Sequence, residues 1–361
     1  VVGGGYAGLA CLARLARVLP DAERILVEPN RWHLRRTRLH ETLRVPLAEV
    51  RAEYGPIARR WDFRHHHLRL DCSAARLQEW SRARRIPLGR RQLEFDALVL
   101  ATGLAGAPPR LARGTPAALP LEALATGAGV LAWKRMSKDS RPAWVVGAGA
   151  SGLQCLFELA ALRPAGAPLG LVEAEDGILA AEPAGLRREV HARLGALGIE
   201  LHLRTRYAGA GRGRIRLSGP DGESALPAGG ILLCTGPGTR PLESDASGRV
   251  LLDGRPLPAI FAAGDCARWR GVPFDAATAQ TAVRKGRHVA ETIASVLAGA
   301  EPDPWDSRQL GFFLSLGPQQ AVGWLFSRAA LMQGLPAVAA REAVEARWDL
   351  LLRGVDSFAA F

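Results

Sequence analysis

The hydrophobic positions of this 361-residue chain begin as a strand, a turn and a helix. An apolar strand end at residues 1–2 runs into a glycine-rich turn, and apolar spacing predicts a helix over residues 9–19. A short apolar strand at residues 25–27 follows and ends in Glu28. Further on, the apolar run at residues 97–101 closes on a Thr-Gly pair. Apolar strands that alternate with helices are typical of an α/β fold.

The same order of elements recurs in the middle of the chain. An apolar strand end at residues 145–146 runs into a second glycine-rich turn, and an apolar helix is predicted over residues 153–162. A strand over residues 169–172 then ends in Glu173, and a later apolar strand at residues 231–234 again closes on Thr-Gly. Self-similarity of this kind predicts two copies of one structural unit.

Both turns have the spacing GxGxxG, with an acid about 20 residues beyond the turn. The first glycine permits a tight turn, the second lets the backbone approach a pyrophosphate, and the third lets helix and strand pack closely. The pyrophosphate is held by free N–H groups at the positive end of the helix, and the acid accepts hydrogen bonds from a ribose. Two complete copies therefore predict two dinucleotide sites. The candidate residues are Gly3, Gly5, Tyr6, Ala7, Gly8, Glu28, Thr102 and Gly103 for the first site, and Gly147, Gly149, Ala150, Ser151, Gly152, Glu173 and Gly236 for the second.

A third apolar strand, at residues 258–263, ends in Gly264-Asp265 and has no glycine turn of its own. A carboxylate at the end of a strand can accept a hydrogen bond from a polyol, so Asp265 should complete one of the two sites. A helix with one apolar face is predicted over residues 276–298, and it contains Ala279 and Gln280 near its start.

These motifs together resemble the flavoproteins with two dinucleotide-binding domains, the pyridine nucleotide-disulfide oxidoreductase superfamily, and most of all its type II NADH dehydrogenase-like branch. Arg38–Glu41, Thr278–Ala282 and Leu314–Gly317 also match, so the resemblance covers residues 1 to about 320. It implies an α/β fold with two Rossmann-like domains, in which the NADH-binding domain is inserted into the FAD-binding domain. We expect the FAD-binding domain over residues 1–110 and 240–305, the NADH-binding domain over 111–239 with crossings at Pro108-Pro109 and Gly238–Pro241, and a C-terminal region over 306–361 that forms an interface, a dimer contact or a membrane-surface contact.

The resemblance also implies the cofactors, which are FAD at the first site and NADH at the second. Asp265 would bind the ribityl chain of FAD. Ala279 and Gln280 would lie at the pyrimidine edge of the flavin, where a helix N-terminus stabilises negative charge on the reduced ring. Glu173 would repel a 2′-phosphate, which favours NADH over NADPH. Hydride transfer from NADH to flavin needs positioning rather than a side-chain acid or nucleophile, so no catalytic residue is assigned.

The acceptor that the resemblance implies is a quinone, but two residues depart from the branch. Gln154 stands where a glutamate is usual after the second glycine turn, and Arg284 stands where a glutamine is usual in the quinone-side motif. One alternative is therefore a soluble NADH-dependent reductase of a small iron–sulfur protein or another electron carrier, which a basic protein would suit. Another alternative is a non-enzymatic flavin or nucleotide sensor.

The five cysteines include no CxxC pair, which disfavours dithiol chemistry. The resemblance implies a C-terminal cysteine for sulfide chemistry, and no cysteine follows Cys266, so sulfide chemistry is disfavoured as well. Cys11 and Cys155 occupy equivalent positions in the two copies and are expected to pack in the core. The odd number of cysteines and the lack of a secretory segment predict a cytoplasmic protein. If the acceptor is a quinone, we also expect attachment to the inner face of the membrane. The run His65–His67 alternates between the faces of a predicted strand, so no metal site is predicted. His40 and Glu41 are either a proton-handling pair near the flavin or a pair on a helix surface.

The net charge and the hydrophobic pattern of the C-terminal residues indicate which partners the chain could bind. Lysine and arginine number 47 against 35 acidic residues, for a net charge of +12, but no basic stretch is interleaved with aromatic residues. We therefore expect solvated arginines rather than a nucleic-acid site, and an anionic membrane surface stays open. The uncharged run 309–327 contains a proline and three glycines, and it predicts two strands joined at Gly317-Pro318 rather than a spanning helix. Residues 337–352 have helical spacing, which suits core packing, a homodimer contact or attachment to a membrane surface.

Overall fold

A computed structural model describes residues 1–104, 118–236, 240–272 and 275–360, and the predicted α/β class is confirmed. Within these residues the longer predicted helices are present, although α7 begins three residues later than the sequence pattern predicts. The helices in chain order are α1 (Tyr6–Val18), α2 (Tyr54–Trp61), α3 (Ala74–Ala83), α4 (Gly127–Lys138), α5 (Ala150–Leu162), α6 (Ala184–Ala196), α7 (Ala279–Leu297) and α8 (Gly334–Leu352).

The strands are short, and most of them pair within two larger sheets, the first mixed and the second parallel, and a smaller C-terminal sheet. In chain order they are β1 (Ile25–Val27), β2 (Trp32–Leu34), β3 (Arg51–Glu53), β4 (Arg64–His66), β5 (Arg85–Leu88), β6 (Arg91–Glu94), β7 (Leu98–Leu100), β8 (Ala118–Pro120), β9 (Ala143–Val146), β10 (Leu169–Val172), β11 (Glu200–His202), β12 (Arg206–Gly211), β13 (Arg214–Gly219), β14 (Gly222–Pro227), β15 (Gly230–Leu233), β16 (Leu242–Ser244), β17 (Arg249–Leu252), β18 (Arg255–Ala262), β19 (Ala267–Trp269), β20 (Gly311–Ser315), β21 (Ala321–Leu325) and β22 (Leu331–Gln333).

The first sheet is parallel around the N-terminal residues on which it is centred, and antiparallel where β17 pairs with β18 and with β16. Val2 bridges to Val27 of β1 on one side and to Leu100 of β7 on the other, while β4 pairs with β1 and β18 with β7. β17, β16 and β19 extend the sheet beyond β18. Val2 and β7 are buried, as expected for strands that are covered on both faces.

The second sheet, which is parallel, has the order β11-β10-β9-β15-β8. β9 and β10 are buried along their whole length, which explains their continuous apolar sequences. Since β9 takes the place of Val2, β10 that of β1 and β15 that of β7, the two sheets repeat one strand order. The predicted pair of Rossmann-like units is therefore confirmed. The predicted domain boundaries stay a prediction, since Pro108, Pro109, Gly238 and Thr239 lie outside the described residues.

The C-terminal region contacts both units. β20 and β21 form the predicted antiparallel hairpin, and Leu314 and Trp324 pack into the same core as Phe157 of α5. α8 packs on the first unit instead, where Trp348 and Leu351 join residues of α1 and α2 in one buried cluster. Core packing is thus what the structure shows for α8. No helix within the four described segments combines the length and the apolar character needed to cross a bilayer.

A close contact between two helices joins α1 to α7 at Gly286. A Cβ atom at Gly286 would lie 2.1 Å from the backbone oxygen of Ala7, which is far shorter than any real carbon–oxygen contact. Glycine is therefore required at this crossing. The contact also sets α7 against the first turn of α1.

We expect Gly286→Ala to lower the free energy of unfolding by more than ~2 kcal/mol, because the added methyl group must push the two helix backbones apart. Gly55→Ala on α2 is the matched control, since the nearest atom to its added Cβ is 3.9 Å away. That change should be neutral or stabilising by up to about 1 kcal/mol. Denaturant unfolding measures both values, and equal effects of the two substitutions would contradict the close crossing.

Candidate functional site

The first glycine turn, Gly3–Gly8, connects the centre of the first sheet to α1. Gly3 has a φ of +101°, and its N–H donates to the Val27 oxygen at 2.9 Å. A Cβ at Gly3 would lie 2.3 Å from the Ala101 oxygen, and one at Gly8 would lie 2.0 Å from the Gly3 oxygen. The outer glycines are therefore fixed by contacts within the protein. These contacts bring the residues before Thr102 against the turn.

The second glycine turn, Gly147–Gly152, has the same geometry. Gly147 has a φ of +103°, and its N–H donates to the Val172 oxygen at 2.7 Å. A Cβ at Gly147 would lie 2.5 Å from the Cys234 oxygen, and one at Gly152 would lie 1.9 Å from the Gly147 oxygen. The repeat seen in the sequence is thus also a repeat of backbone contacts. In both units the residue just before the Thr-Gly pair packs against the glycine turn.

The middle glycine of each turn faces open space. A Cβ at Gly5 or at Gly149 would meet no atom within 4 Å. Both residues are the N-caps of their helices, α1 and α5, and neither helix start has a side-chain cap. The N–H groups of the first turns, including those of Ala7 and Ser151, are therefore available to an anion. This arrangement fits a pyrophosphate at each turn.

Each predicted acid is held by backbone N–H groups next to its turn. Glu28 accepts from Gly4 at 3.1 Å and from Asn30 at 2.9 Å. Glu173 accepts from Ala148 at 2.5 Å and from Glu175 at 3.0 Å. A carboxylate has about four acceptor positions, so each acid can still bind ribose hydroxyls.

Asp265 lies beside the first glycine turn and not the second. The preceding Gly264 has a φ of +77°, and a Cβ there would lie 2.9 Å from the Cβ of Ala7. Burial raises the pKa of Asp265, and the positive charges of Arg36 and Lys285 oppose this effect. Asp265 also lines a cavity of about 770 Å³, whose described lining residues include Trp269, Arg270 and Lys285 but none of the residues Gly3–Gly8.

The N-terminus of α7 lies at the same cavity. Ala276 and Ala277 line it, and Thr278 caps the helix by accepting from the Thr281 N–H at 3.1 Å. Ala279 and Gln280 are the first two helical residues. The positive end of a 19-residue helix thus lies close to Asp265.

A buried ion pair on the cavity wall was missed by the sequence reasoning. Lys285 lies 2.5 Å from Asp275 and donates to the Ala267 oxygen at 2.8 Å. Burial lowers the pKa of Lys285, and Asp275 opposes that shift. The signal in the sequence was the rarity of lysine, of which the chain has three against 44 arginines.

Arg284, the departure noted in the quinone-side motif, is held by the segment after α7. Its guanidinium donates to the Asp306 oxygen at 2.6 Å and to the Arg308 oxygen, and it stacks 5.0 Å from the Trp305 ring centroid. The side chain is 22% exposed. An arginine in this position is therefore ordered and remains accessible to a partner.

Cys11 and Cys155 are buried in the core, as predicted. Burial raises the pKa of Cys11 to about 12. The structure adds one contact that the spacing did not reveal. A Cβ at Gly152 would lie 3.3 Å from the Cβ of Cys234, and the neighbouring Cys234 and burial together raise the pKa of Cys155.

His40 and Glu41 are buried rather than on a helix surface, which corrects one of the two predicted alternatives. Glu41 is paired with Arg38 at 2.7 Å and with Arg341 at 3.3 Å. His40 Nε2 lies 3.9 Å from Glu41, beyond hydrogen-bond distance, and burial lowers the pKa of His40 to about 3. His65 and His67 lie on one side of the strand end, as the alternation predicted, with ring centroids 4.1 Å apart.

Comparison with known proteins gives one family match. The model of the family described as pyridine nucleotide-disulphide oxidoreductase matches residues 1–286. No curated protein sequence matches the chain.

Solved structures similar to this chain share its fold at low sequence identity. NDH2 from Plasmodium falciparum in complex with NADH has 11% identity and a TM-score of 0.75, over 98% of this chain and 95% of that one. The sulfide:quinone oxidoreductase from Aquifex aeolicus has 14% identity and a TM-score of 0.79, over 99% and 92%. A ferredoxin reductase from Rhodopseudomonas palustris has 19% identity and a TM-score of 0.68, over 89% and 80%.

We expect stability to fall as the pH falls below about 6.5, because His40 is neutral in the folded protein and takes up a proton more readily when unfolded. The free energy of unfolding should fall by up to about 1.4 kcal/mol per pH unit from this residue, until the pH nears the folded pKa of about 3. Denaturant unfolding at several pH values should show a smaller slope for His40→Leu. An unchanged slope would show that His40 is not buried as a neutral ring.

Proposed function

The chain belongs to the pyridine nucleotide-disulphide oxidoreductase family, and we propose that it is an FAD-dependent NADH oxidoreductase that passes electrons to a quinone. The family match confirms the predicted superfamily and its cofactors, FAD and NAD(H). The assignment of residues to each cofactor and the choice of acceptor are our proposal.

The observation that carries the proposal is that the two glycine turns are alike, except that Asp265 and the N-terminus of α7 lie near the first. Both turns present free N–H groups and a backbone-bound acid, but among the described residues Gly264, next to Asp265, and Gly286 of α7 make their close contacts with Ala7 of the first turn. FAD needs partners for a ribityl chain and a flavin, whereas NADH does not. We therefore assign FAD to Gly3, Gly5, Tyr6, Ala7, Gly8, Glu28, Thr102, Gly103, Asp265, Ala279 and Gln280, and NADH to Gly147, Gly149, Ala150, Ser151, Gly152, Glu173 and Gly236.

When bound, FAD supplies the redox chemistry by accepting a hydride from NADH and releasing electrons to the acceptor. The residues of the chain bind and orient. Asp265 accepts a hydrogen bond from a ribityl hydroxyl, and the N-terminus of α7 stabilises negative charge at the pyrimidine edge. Lys285 and Asp275 hold the wall of the cavity in place through their ion pair. No side-chain acid or nucleophile is needed.

Quinone is the acceptor we favour, because similarity to NDH2 and to the sulfide:quinone oxidoreductase extends over 98% and 99% of the chain. It covers the C-terminal region, where Phe326 is 80% exposed and Leu335 is 73% exposed. Large exposed apolar side chains suit contact with a membrane surface, where quinones are found.

A protein electron carrier is the second candidate, and Arg284 favours it. A cation replaces an uncharged amide in the motif that faces quinone in the resembling branch. The chain also has a net charge of +12, which would attract an acidic carrier at low ionic strength.

Anaerobic NADH should bleach the visible flavin absorption of the purified protein. A short-chain quinone should then restore this absorption at least as fast as the enzyme turns over with NADH and quinone. Gly149→Val is the control, because its side chain would enter the open side of the second turn without meeting protein atoms. We expect this variant to retain FAD and to lose bleaching by NADH. Turnover with quinone no faster than with oxygen, together with strongly salt-dependent turnover with an iron–sulfur protein, would favour the second candidate. Bound flavin that NADH cannot bleach would indicate a sensor.

Glu173 should determine the choice between NADH and NADPH, because its charge repels a 2′-phosphate. The backbone N–H of Thr205 donates to the backbone oxygen of Glu173 at 2.8 Å, which holds the acid's backbone against the end of β11. We expect Glu173→Ser to lower kcat/KM for NADH about tenfold, the effect of losing one charged hydrogen-bond partner, and to raise it for NADPH. Glu200→Ser, an exposed acid on the neighbouring β11, should change neither value. Steady-state kinetics with both nucleotides decides the matter, and an unchanged preference would exclude Glu173 from the ribose site.

A further inference from the structure

Helix α8 reaches the first glycine turn through two buried side chains. The indole N–H of Trp348 donates to Nε2 of His33 at 3.1 Å, and Nδ1 of His33 lies 3.0 Å from the Gly4 oxygen. Because an indole nitrogen can only donate, Nε2 must accept, and the proton of the neutral ring must be on Nδ1. The Nδ1–H therefore donates to Gly4. His33 is 0% exposed and Trp348 is 3% exposed, so water does not compete for these bonds.

The bond to Gly4 acts on the part of the turn that faces a phosphate. The Gly4 oxygen also accepts from the Tyr54 hydroxyl at 2.7 Å, while the Gly4 N–H donates to Glu28 at 3.1 Å. In a planar trans peptide, the C=O of Gly4 and the N–H of Gly5 point in opposite directions. Two donors that hold the oxygen toward the protein therefore aim the Gly5 N–H toward the open side of the turn.

In the described part of the chain, the second glycine turn has no such connection. The equivalent oxygen, that of Ala148, accepts from the backbone N–H of Leu179 at 3.3 Å. Within the described residues, the hydrogen bonds at this oxygen include none from a histidine or a tyrosine. The two turns thus provide an internal comparison, in which only the first depends on a side chain of the C-terminal helix.

The surrounding contacts keep α8 in place without this hydrogen bond. The Tyr6 ring packs 4.7 Å from the Trp348 ring and 5.0 Å from the His33 ring, measured between centroids. Leu351 is fully buried, and Asp349 pairs with Arg35 at 2.8 Å. Removal of the indole N–H alone should therefore leave the helix docked.

We propose that Trp348 and His33 are positioning residues for FAD, which hold the Gly4–Gly5 peptide with its N–H toward the pyrophosphate, so that FAD affinity depends on the docked C-terminal helix. The inference rests on the proposed function for the assignment of FAD to the first glycine turn. It concerns no reacting atom, and its effect is on cofactor affinity.

Trp348→Phe tests the proposal, because it removes the N–H and keeps an aromatic ring. We expect the dissociation constant for FAD to rise about tenfold. The substitution removes one buried hydrogen bond and leaves Nε2 of His33 buried without a hydrogen-bond partner. The affinity for NAD⁺ should not change. Flavin fluorescence on release measures the first value, and calorimetric titration of the FAD-loaded protein measures the second.

Trp61→Phe is the matched control. Trp61 is also a buried tryptophan in contact with α8, and its N–H donates to the Leu351 oxygen at 2.7 Å, but it has no link to Gly4. A merely structural role predicts equal effects of the two substitutions on FAD affinity. Equal effects, or no change in Trp348→Phe, would overturn the proposal.

A further variant separates failure of this inference from failure of the proposed function. Gly5→Val should abolish FAD binding if FAD occupies the first turn, because its side chain would fill the open side. Normal FAD binding by Gly5→Val would overturn the site assignment itself. Loss of binding there, with Trp348→Phe unchanged, would overturn only the role of Trp348 and His33.

Discussion

The close backbone contacts at the two glycine turns are the constraint on which the candidate sites depend. In each unit a strand oxygen and a helix start approach the turn so closely that any Cβ at the outer glycines would overlap backbone atoms. The sheet, the helix and the loop after the neighbouring strand therefore meet at one point. The open side of the turn, at Gly5 or Gly149, is left as the place where a phosphate can approach the backbone.

The two units are joined by an ion pair and by packing of the C-terminal region. Arg44, three residues after Glu41, donates to both carboxylate oxygens of Glu158 on α5, each at 2.8 Å. Glu158 is fully buried, so loss of Arg44 would leave an unpaired charge in the interior. The C-terminal hairpin packs on the second unit and α8 on the first. These contacts fix the position of one nucleotide site relative to the other.

Many of the arginines that make the chain basic are used inside the fold. Arg24 is 4% exposed and donates to the backbone oxygens of Leu19 and Ala22 as well as to Asp62. Arg287 pairs with Asp356, whose side chain is 1% exposed, at 2.7 Å. Net charge by itself is therefore a poor guide to a binding surface in this protein. Arg284, whose side chain is 22% exposed, is likewise held by the backbone oxygens of Asp306 and Arg308.

The sequence by itself determined the fold class, the repeat and both glycine turns. These features are local, since GxGxxG, the following apolar helix and the acid at the end of the next strand are fixed by short-range steric and hydrogen-bonding requirements. The hairpin after residue 309 was likewise readable from its glycines and proline. The resemblance assigned Asp265 to the first turn, whereas only the tertiary structure decided that Lys285 is paired in the cavity wall and that His40 is buried. The tertiary structure also showed that Trp348 reaches Gly4 through His33, from the far end of the chain. Contacts of this kind join residues that are hundreds of positions apart, and they arise from how helices pack against one another, which no periodicity along the chain records.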